Sequence, residues 1–318
     1  MKKVSILLPC YNEEKSLLLL YNELVKLMDI EKAYLWEILF VNDGSKDGTI
    51  EIIKSLRKKD TRVSFVDLSR NFGKEKAMLA GIDYVSGDCT VIMDADLQHP
   101  PQLISEMLKF WAEGFDDVYA KRDHRGKESW LRKKFSLFFY KILQRSSQVE
   151  IPQNVGDFRL LDKRCVEVLR ELRESERFTK GLFAWIGFNK KEITFTQNDR
   201  VAGTTSWSLL SLFSLAVDGI ISFTTAPLRF STIIGICSSF ASFLYLIFVL
   251  IKTVLYGEPI AGYPTLVVLI LFLGGVQLLS IGIIGEYIGR IFSETKLRPP
   301  YIVREYNGQK VSNNKNQA

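Results

Sequence analysis

The chain has 318 residues, a formal net charge of +6 and a pI near 9.0. That balance suits an anionic membrane leaflet or anionic substrates, whereas the basic residues are spread out and form no nucleic-acid module, so nucleic acid is not an expected partner. Cys10, Cys89, Cys165 and Cys237 show neither pairing nor metal spacing, which fits a reduced compartment and disfavours a disulfide scaffold.

Met1–Pro9 holds only a short apolar stretch, too brief for a signal-peptide core. From there β-rich runs alternate with helix-period segments. Strand Val4–Leu8 precedes helix Glu14–Met28, Trp36–Val41 precedes Thr49–Lys58, Val63–Leu68 precedes Lys74–Val85, and Thr90–Met93 stops at Asp94. Repeated β–α units predict an α/β domain with a mostly parallel sheet, and near-continuous apolar strands predict helices on both faces. Further strands are expected at Val118–Ala120, Phe158–Leu161 and Glu192–Thr196, and a helix at Ser129–Leu143. Trp207–Phe223 is apolar on most sides and reads as an interfacial helix at the lipid headgroups, with a core helix as the alternative.

Two long apolar runs follow, Ser231–Leu255 and Thr265–Phe292. Each reaches the roughly 20 residues a helix needs to cross a bilayer core, and burying both in a soluble core would be costly. The expectation is therefore two transmembrane helices. Arg229 precedes the first, and Arg290, Lys296, Arg298 and Arg304 lie at or beyond the end of the second. The linker Tyr256–Pro264 carries Glu258 and no Lys or Arg, so both termini are expected on the cytoplasmic side of a multi-pass inner-membrane protein. Lys252 dissents but can snorkel outward. Expected domains are thus 1–205 (catalytic), 206–228 (interfacial), 229–295 (transmembrane hairpin) and 296–318 (cytoplasmic tail).

In parallel α/β sheets ligands bind at the carboxyl ends of the strands. That rule selects Pro9, Tyr11, Asn12 and Glu13 after the first strand, and Asn42, Asp43, Gly44 and Ser45 after the second. Ser69–Gly73 follows the third and Asp94–Gln98 the fourth. No G-x-G-x-x-G follows the first strand and no G-x-x-x-x-G-K-[ST] occurs, which disfavours dinucleotide and P-loop enzymes. Asp94, Asp96 and Gln98 instead form an oxygen-rich set suited to Mg²⁺ or Mn²⁺ holding a diphosphate. A solvated turn is the alternative reading of so short a motif, and its position at the end of an apolar strand argues against that.

Leu8-Pro9-Cys10-Tyr11-Asn12-Glu13, Val41-Asn42-Asp43-Gly44-Ser45 and Asp94-Ala95-Asp96-Leu97-Gln98 together resemble the inverting family-2 glycosyltransferases. Ser69-Arg70-Asn71-Phe72-Gly73-Lys74, Gly156-Asp157-Phe158-Arg159-Leu160-Leu161 and the paired spans narrow the resemblance to the polyprenyl-phosphate branch, which includes bactoprenol glucosyltransferases and dolichol-phosphate mannose synthases. The resemblance covers nearly the whole chain. It implies a GT-A, Rossmann-like fold that inverts the transferred sugar. The implied partners are a nucleotide-sugar donor, UDP-glucose foremost, a polyprenyl (undecaprenyl) phosphate acceptor and the bilayer.

By that resemblance Pro9, Tyr11, Glu13, Asp43, Asn71, Gly73 and Asp94 would contact the nucleotide sugar, while Asp94, Asp96 and Gln98 would hold the metal. Asp157 would be the catalytic carboxylate. Its label as a base is open, because a phosphate monoester with a second pKa near 6 is largely dianionic at neutral pH; a turn residue before the strand is the bland reading. Arg122, Arg132 and Arg200 match arginines around the acceptor phosphate, with attraction of Arg132, Lys133 and Lys134 to anionic lipid as a compatible alternative. The family's usual lysine after the Arg-x-x-Gly element is replaced by Ser206. His99 sits beside the metal motif and could touch the diphosphate; a surface histidine is the alternative. N-acetylglucosamine, mannose or aminoarabinose transfer would use the same scaffold, and two spans are few for a processive polysaccharide synthase. Interfacial helices and paired spans could also mediate a homo-oligomer.

Overall fold

A computed structural model describes residues 1–123, 155–175, 177–196, 226–256 and 262–311. These residues fall into two compact units, one built on a β-sheet and one on two long helices.

The sheet unit opens with β1 (Lys3–Cys10), α1 (Leu17–Ile30), β2 (Leu35–Asn42), α2 (Thr49–Lys59), β3 (Val63–Leu68), α3 (Lys74–Tyr84) and β4 (Cys89–Ile92). It continues with α4 (Leu103–Ala112), β5 (Asp117–Arg122), β6 (Val155–Asp162), α5 (Lys163–Glu171), α6 (Thr179–Trp185) and β7 (Lys190–Phe195). Two short strands, β8 (Val303–Tyr306) and β9 (Gln309–Lys310), complete it. The spatial order is β7-β5-β6-β4-β1-β2-β3-β8-β9. β3, β2, β1 and β4 pair in parallel, as the β–α alternation predicts, and β5 pairs in parallel with β7. β6 and β8 run against their neighbours.

Core packing follows from the apolar pattern. Leu17, Leu20, Leu24, Leu27 and Met28 recur at helical spacing on α1 and are buried, each burial contributing roughly 1.5–3 kcal/mol against exposure. They pack with the β1 side chains Val4, Ile6 and Leu8 in one continuous cluster. On α3, Gly81 lets the helix approach β1 so closely that an added Cβ would lie 1.9 Å from a Leu7 methyl. The first residue of α3, Lys74, thereby stands over the carboxyl ends of the parallel strands.

One segment departs from the reading of its sequence. The stretch 296–318, expected as a tail, contains β8, which pairs antiparallel with β3 through Val66↔Tyr306, Asp67↔Glu305 and Leu68↔Val303. Burial of Tyr301 and Val303 on alternate residues explains why it docks. Both apolar runs are helical. They form α7 (Ala226–Tyr256) and α8 (Tyr263–Thr295), each longer than the run expected. Among the described residues, one stretch, Phe272–Thr295, is long and apolar enough to cross a membrane. Both helices expose large apolar side chains, including Phe240, Phe248, Leu278 and Ile281. The expected helices Ser129–Leu143 and Trp207–Phe223 lie outside the described residues. All four cysteines are free.

Candidate active site

The loops after β1 and β2 are locked to each other. Asn12 adopts a left-handed backbone (φ 57), a conformation asparagine tolerates. Its N–H donates to Ser45 Oγ at 3.0 Å, and its Oδ1 accepts from Lys46 N–H at 2.8 Å. Glu13 N–H donates to Thr49 Oγ1 at 2.8 Å, and Glu13 Oε2 accepts from Ser16 Oγ at 2.7 Å. Pro9 pairs with Val41 in the β1–β2 ladder, and Tyr11 stands exposed at the rim.

Asp43 organises the loop after β3. Its Oδ1 accepts from Phe72 N–H at 2.7 Å and its Oδ2 from Gly73 N–H at 2.9 Å. Burial raises its pKa, and those two N–H bonds work against the rise. Gly44 (φ +65) is forced by the same closeness: a Cβ there would lie 2.4 Å from the Arg70 carbonyl carbon. Asn71 is exposed beside it. Both Asp43 oxygens are thus already used in shaping the loop that carries Asn71 and Gly73.

Across the sheet, the carboxylates after β4 and within β6 share a cation. Lys74 Nζ lies 2.6 Å from Asp94 Oδ1 and 2.6 Å from Asp157 Oδ2. Burial opposes ionisation of Asp157, yet the Lys74 ammonium outweighs it and holds the carboxyl well below the usual carboxylate range. Burial likewise opposes the charge on Lys74, and the two carboxylates outweigh that and raise its pKa. The other Asp157 oxygen, Oδ1, is buried with no hydrogen-bond partner among the described residues. Beside Lys74, Glu75 accepts from Thr179 N–H at 3.0 Å and from its hydroxyl, joining α3 to α6. The strand bearing Asp157 is braced by a buried pair, Arg159 Nη1 to Asp117 Oδ2 at 3.0 Å, with the Arg159 guanidinium 3.8 Å from the Phe183 ring centroid.

In the Asp94–Gln98 turn, Gln98 N–H donates to Asp96 Oδ1 at 3.1 Å and Leu97 takes a left-handed φ of 63. A bulky residue held there costs about 1–3 kcal/mol, a local strain typical of ligand-binding turns. His99 is 1% exposed, not on the surface. Its Nδ1 accepts from Asp94 N–H at 3.3 Å, its ring stacks on Phe158 at 4.8 Å, and burial lowers its pKa. In the neutral ring the proton therefore resides on Nε2, which is buried without a partner among the described residues. Arg122 Nε is likewise buried without one among the described residues. A Cβ built on Gly156 would lie 3.9 Å from both His99 Nε2 and Arg122 Nη2, so these donors share one neighbourhood at the start of β6.

Asp94, Asp157, Lys74, His99 and Arg122 are thus gathered at one end of the sheet, with Asp96 and Gln98 in the same turn as Asp94. Arg132 and Arg200 lie outside the described residues. Sequence reasoning did not single out Lys74, Glu75 or Arg159. The visible signal for Lys74 was a cation at a helix start, against the helix dipole, opposite acidic strand ends.

A divalent ion fits the donor set chemically. Asp94, Asp96 and Gln98 offer hard oxygen ligands, and among the described residues no group of three or more His, Cys, Asp or Glu is arranged to hold an ion alone.

Comparison with known proteins places this geometry in a lineage. The Glycosyl transferase family 2 profile matches residues 5–170, and the GtrB C-terminal hairpin profile matches 226–291. The chain is 45% identical over 304 residues to the putative glycosyltransferase CsbB of Bacillus subtilis (strain 168), covering 96% of this chain and 92% of that one. It is 44% identical over 303 residues to a glycosyltransferase of Synechocystis sp., sll0501, covering 95% of each. The bactoprenol glucosyl transferase of Shigella phage SfX is 42% identical over 302 residues, covering 95% of this chain and 99% of that one. The chain is accordingly a glycosyltransferase that belongs to glycosyl transferase family 2 and carries the GtrB C-terminal hairpin.

Proposed function

We propose that this enzyme transfers a single sugar, glucose, from UDP-glucose to polyprenyl (undecaprenyl) phosphate at the cytoplasmic face of the membrane, with inversion at the anomeric carbon. The observation that carries this reading is the near-full-length similarity to bactoprenol glucosyl transferases, which spans both the strand-end carboxylates and the apolar hairpin. The exposed apolar side chains of α7 and α8 support a bilayer location, since monomeric soluble proteins rarely display such surface. The cations that follow α8, Lys296, Arg298 and Arg304, support cytoplasmic termini with a hairpin spanning 229–295.

In this reading Asp94, Asp96 and Gln98 hold a Mg²⁺ or Mn²⁺ ion, which when bound neutralises charge on the departing nucleoside diphosphate. Pro9, Tyr11, Glu13 and Asn71 border the nucleoside, while Asp43 and Gly73 hold that border in shape. Asp157 is an anion at neutral pH and a weak base. An acceptor phosphate that is already largely dianionic needs orientation more than deprotonation. Asp157 therefore orients the reacting groups, and its unpartnered Oδ1 is the atom available to do so. The Arg122 guanidinium contacts the acceptor phosphate, with Arg132 and Arg200 completing that contact.

The test is a panel of UDP- and GDP-sugars offered with undecaprenyl phosphate to the purified enzyme, followed by lipid extraction. UDP-glucose should give a lipid-linked monosaccharide. A product from another sugar alone would replace glucose in the assignment, and a long polymer or no lipid product would overturn it.

A further inference from the structure

Lys74 binds one carboxylate assigned to the metal and one assigned to the reaction, both at 2.6 Å. Nothing in the helix itself asks for it. A lysine at the first position of α3 opposes the positive end of the helix dipole. The close seat of α3 on β1 at Gly81 delivers the ammonium to the strand ends. Asp94 follows β4 and Asp157 lies in the adjacent antiparallel β6, both just past the Ile92↔Arg159 pairing, where two anions would repel without a cation between them.

Resting on the proposed metal role of Asp94, we propose that Lys74 is a resident counter-cation that competes with the divalent ion for Asp94 and keeps Asp157 positioned as an anion. A dication and an ammonium cannot share one carboxylate at contact distance without strong mutual repulsion. The ion therefore binds weakly to the donor-free enzyme and tightly only when a diphosphate supplies further oxygen ligands. Metal and nucleotide then enter as a coupled pair. When the ion takes Asp94, the ammonium remains on Asp157. Lys74 is thus a positioning residue for both the ion and the carboxylate.

The discriminating experiment measures Mn²⁺ affinity of the full-length enzyme by electron paramagnetic resonance, with and without UDP. Wild type is compared with Lys74→Met, Lys74→Gln and Lys74→Arg. The Lys74 side chain is 44% exposed, so losing its charge empties no core. Arg159 and Lys180 also remain to offset Asp157. Without UDP, the Met and Gln variants should bind Mn²⁺ at least about tenfold more tightly than wild type, as expected from removing one nearby positive charge. Lys74→Arg should stay near wild type, and UDP should tighten Mn²⁺ binding far more in wild type than in the Met variant. Unchanged or weaker Mn²⁺ affinity in both neutral variants, with UDP-dependent binding intact in wild type, would overturn the role of Lys74 alone. Absence of Mn²⁺ binding to every protein even with UDP would overturn the metal assignment of Asp94 and this inference with it. Should the neutral variants not fold, equal Mn²⁺ affinity of wild type with and without UDP contradicts the proposal by itself.

Discussion

Asp43 and Asp157 are both buried carboxylates at the same end of one sheet, 3% and 7% exposed, yet they are held in opposite ways. Asp43 spends both oxygens on backbone N–H groups and its pKa is raised by burial. Asp157 is held by a side-chain ammonium that overcomes burial, and one oxygen is left unpartnered. The first arrangement fixes a loop; the second keeps a charge available. Under the proposed function, the nucleotide side is shaped by backbone hydrogen bonds to Asp43, while the reacting side is shaped by paired side-chain charges.

Removing the available charge should have the largest effect. Asp157→Asn and Asp96→Ala should each lower turnover by at least about 100-fold, equivalent to about 2.7 kcal/mol in the barrier. UDP affinity of the Asn variant should stay within a fewfold, and its Tm should fall only by what the lost ion pair with Lys74 contributes, roughly 1–2 kcal/mol. Asp43→Ala should do the reverse. It leaves two backbone N–H groups without their acceptor and should cost roughly 2–4 kcal/mol of stability, seen as a lower Tm together with a raised donor KM.

Arg122→Ala should raise the acceptor KM by about 10- to 100-fold with donor KM nearly unchanged, in line with a charge-assisted contact of roughly 1.5–3 kcal/mol. Arg122→Lys should recover only part of that loss, because an ammonium lacks the planar fork.

The smallest effect concerns stability against pH. The folded pKa of Asp157 lies below its unfolded value, so it contributes stability above the unfolded value, and this is lost as pH falls through the folded one. In Lys74→Met the largest compensation for burial is gone, so the folded pKa moves up toward the unfolded value and this contribution shrinks. The stability gap between the two proteins should therefore open as pH rises toward the unfolded carboxylate value of about 4, and close in strong acid. At neutral pH it should reach roughly 1–2 kcal/mol, less than for a fully buried pair because Lys74 is partly exposed. Chemical denaturation across that range measures it.

Much of the parallel half of the sheet was legible. Strand Val63–Leu68 matches its expected bounds, and α2 and α3 differ by one residue at one end, because apolar runs and helical periodicity are local signals. The antiparallel insertion of β6 was not legible, since one strand's pattern does not encode the direction of its neighbour. β8 left a faint trace in the alternation of Tyr301 and Val303, obscured by its position after two long apolar runs. At the site, the acidic strand ends could be read from their positions. The bridge formed by Lys74 could not, because it depends on how closely α3 sits on β1 at Gly81. The burial of His99 depends on ring stacking with Phe158, a contact 59 positions away in the chain that spacing alone does not reveal.

In the proposed function, sugar passes to a lipid phosphate at a site where Asp157 acts as a positioned anion. Its most direct test is a single-turnover reaction of labelled UDP-glucose with undecaprenyl phosphate, run on wild type and Asp157→Asn with UDP binding measured in parallel. Wild type should form a lipid carrying one glucose with inverted anomeric configuration, and the Asn variant should bind UDP normally while forming almost none. Wild-type turnover by the Asn variant, or a product of retained configuration, would contradict the account.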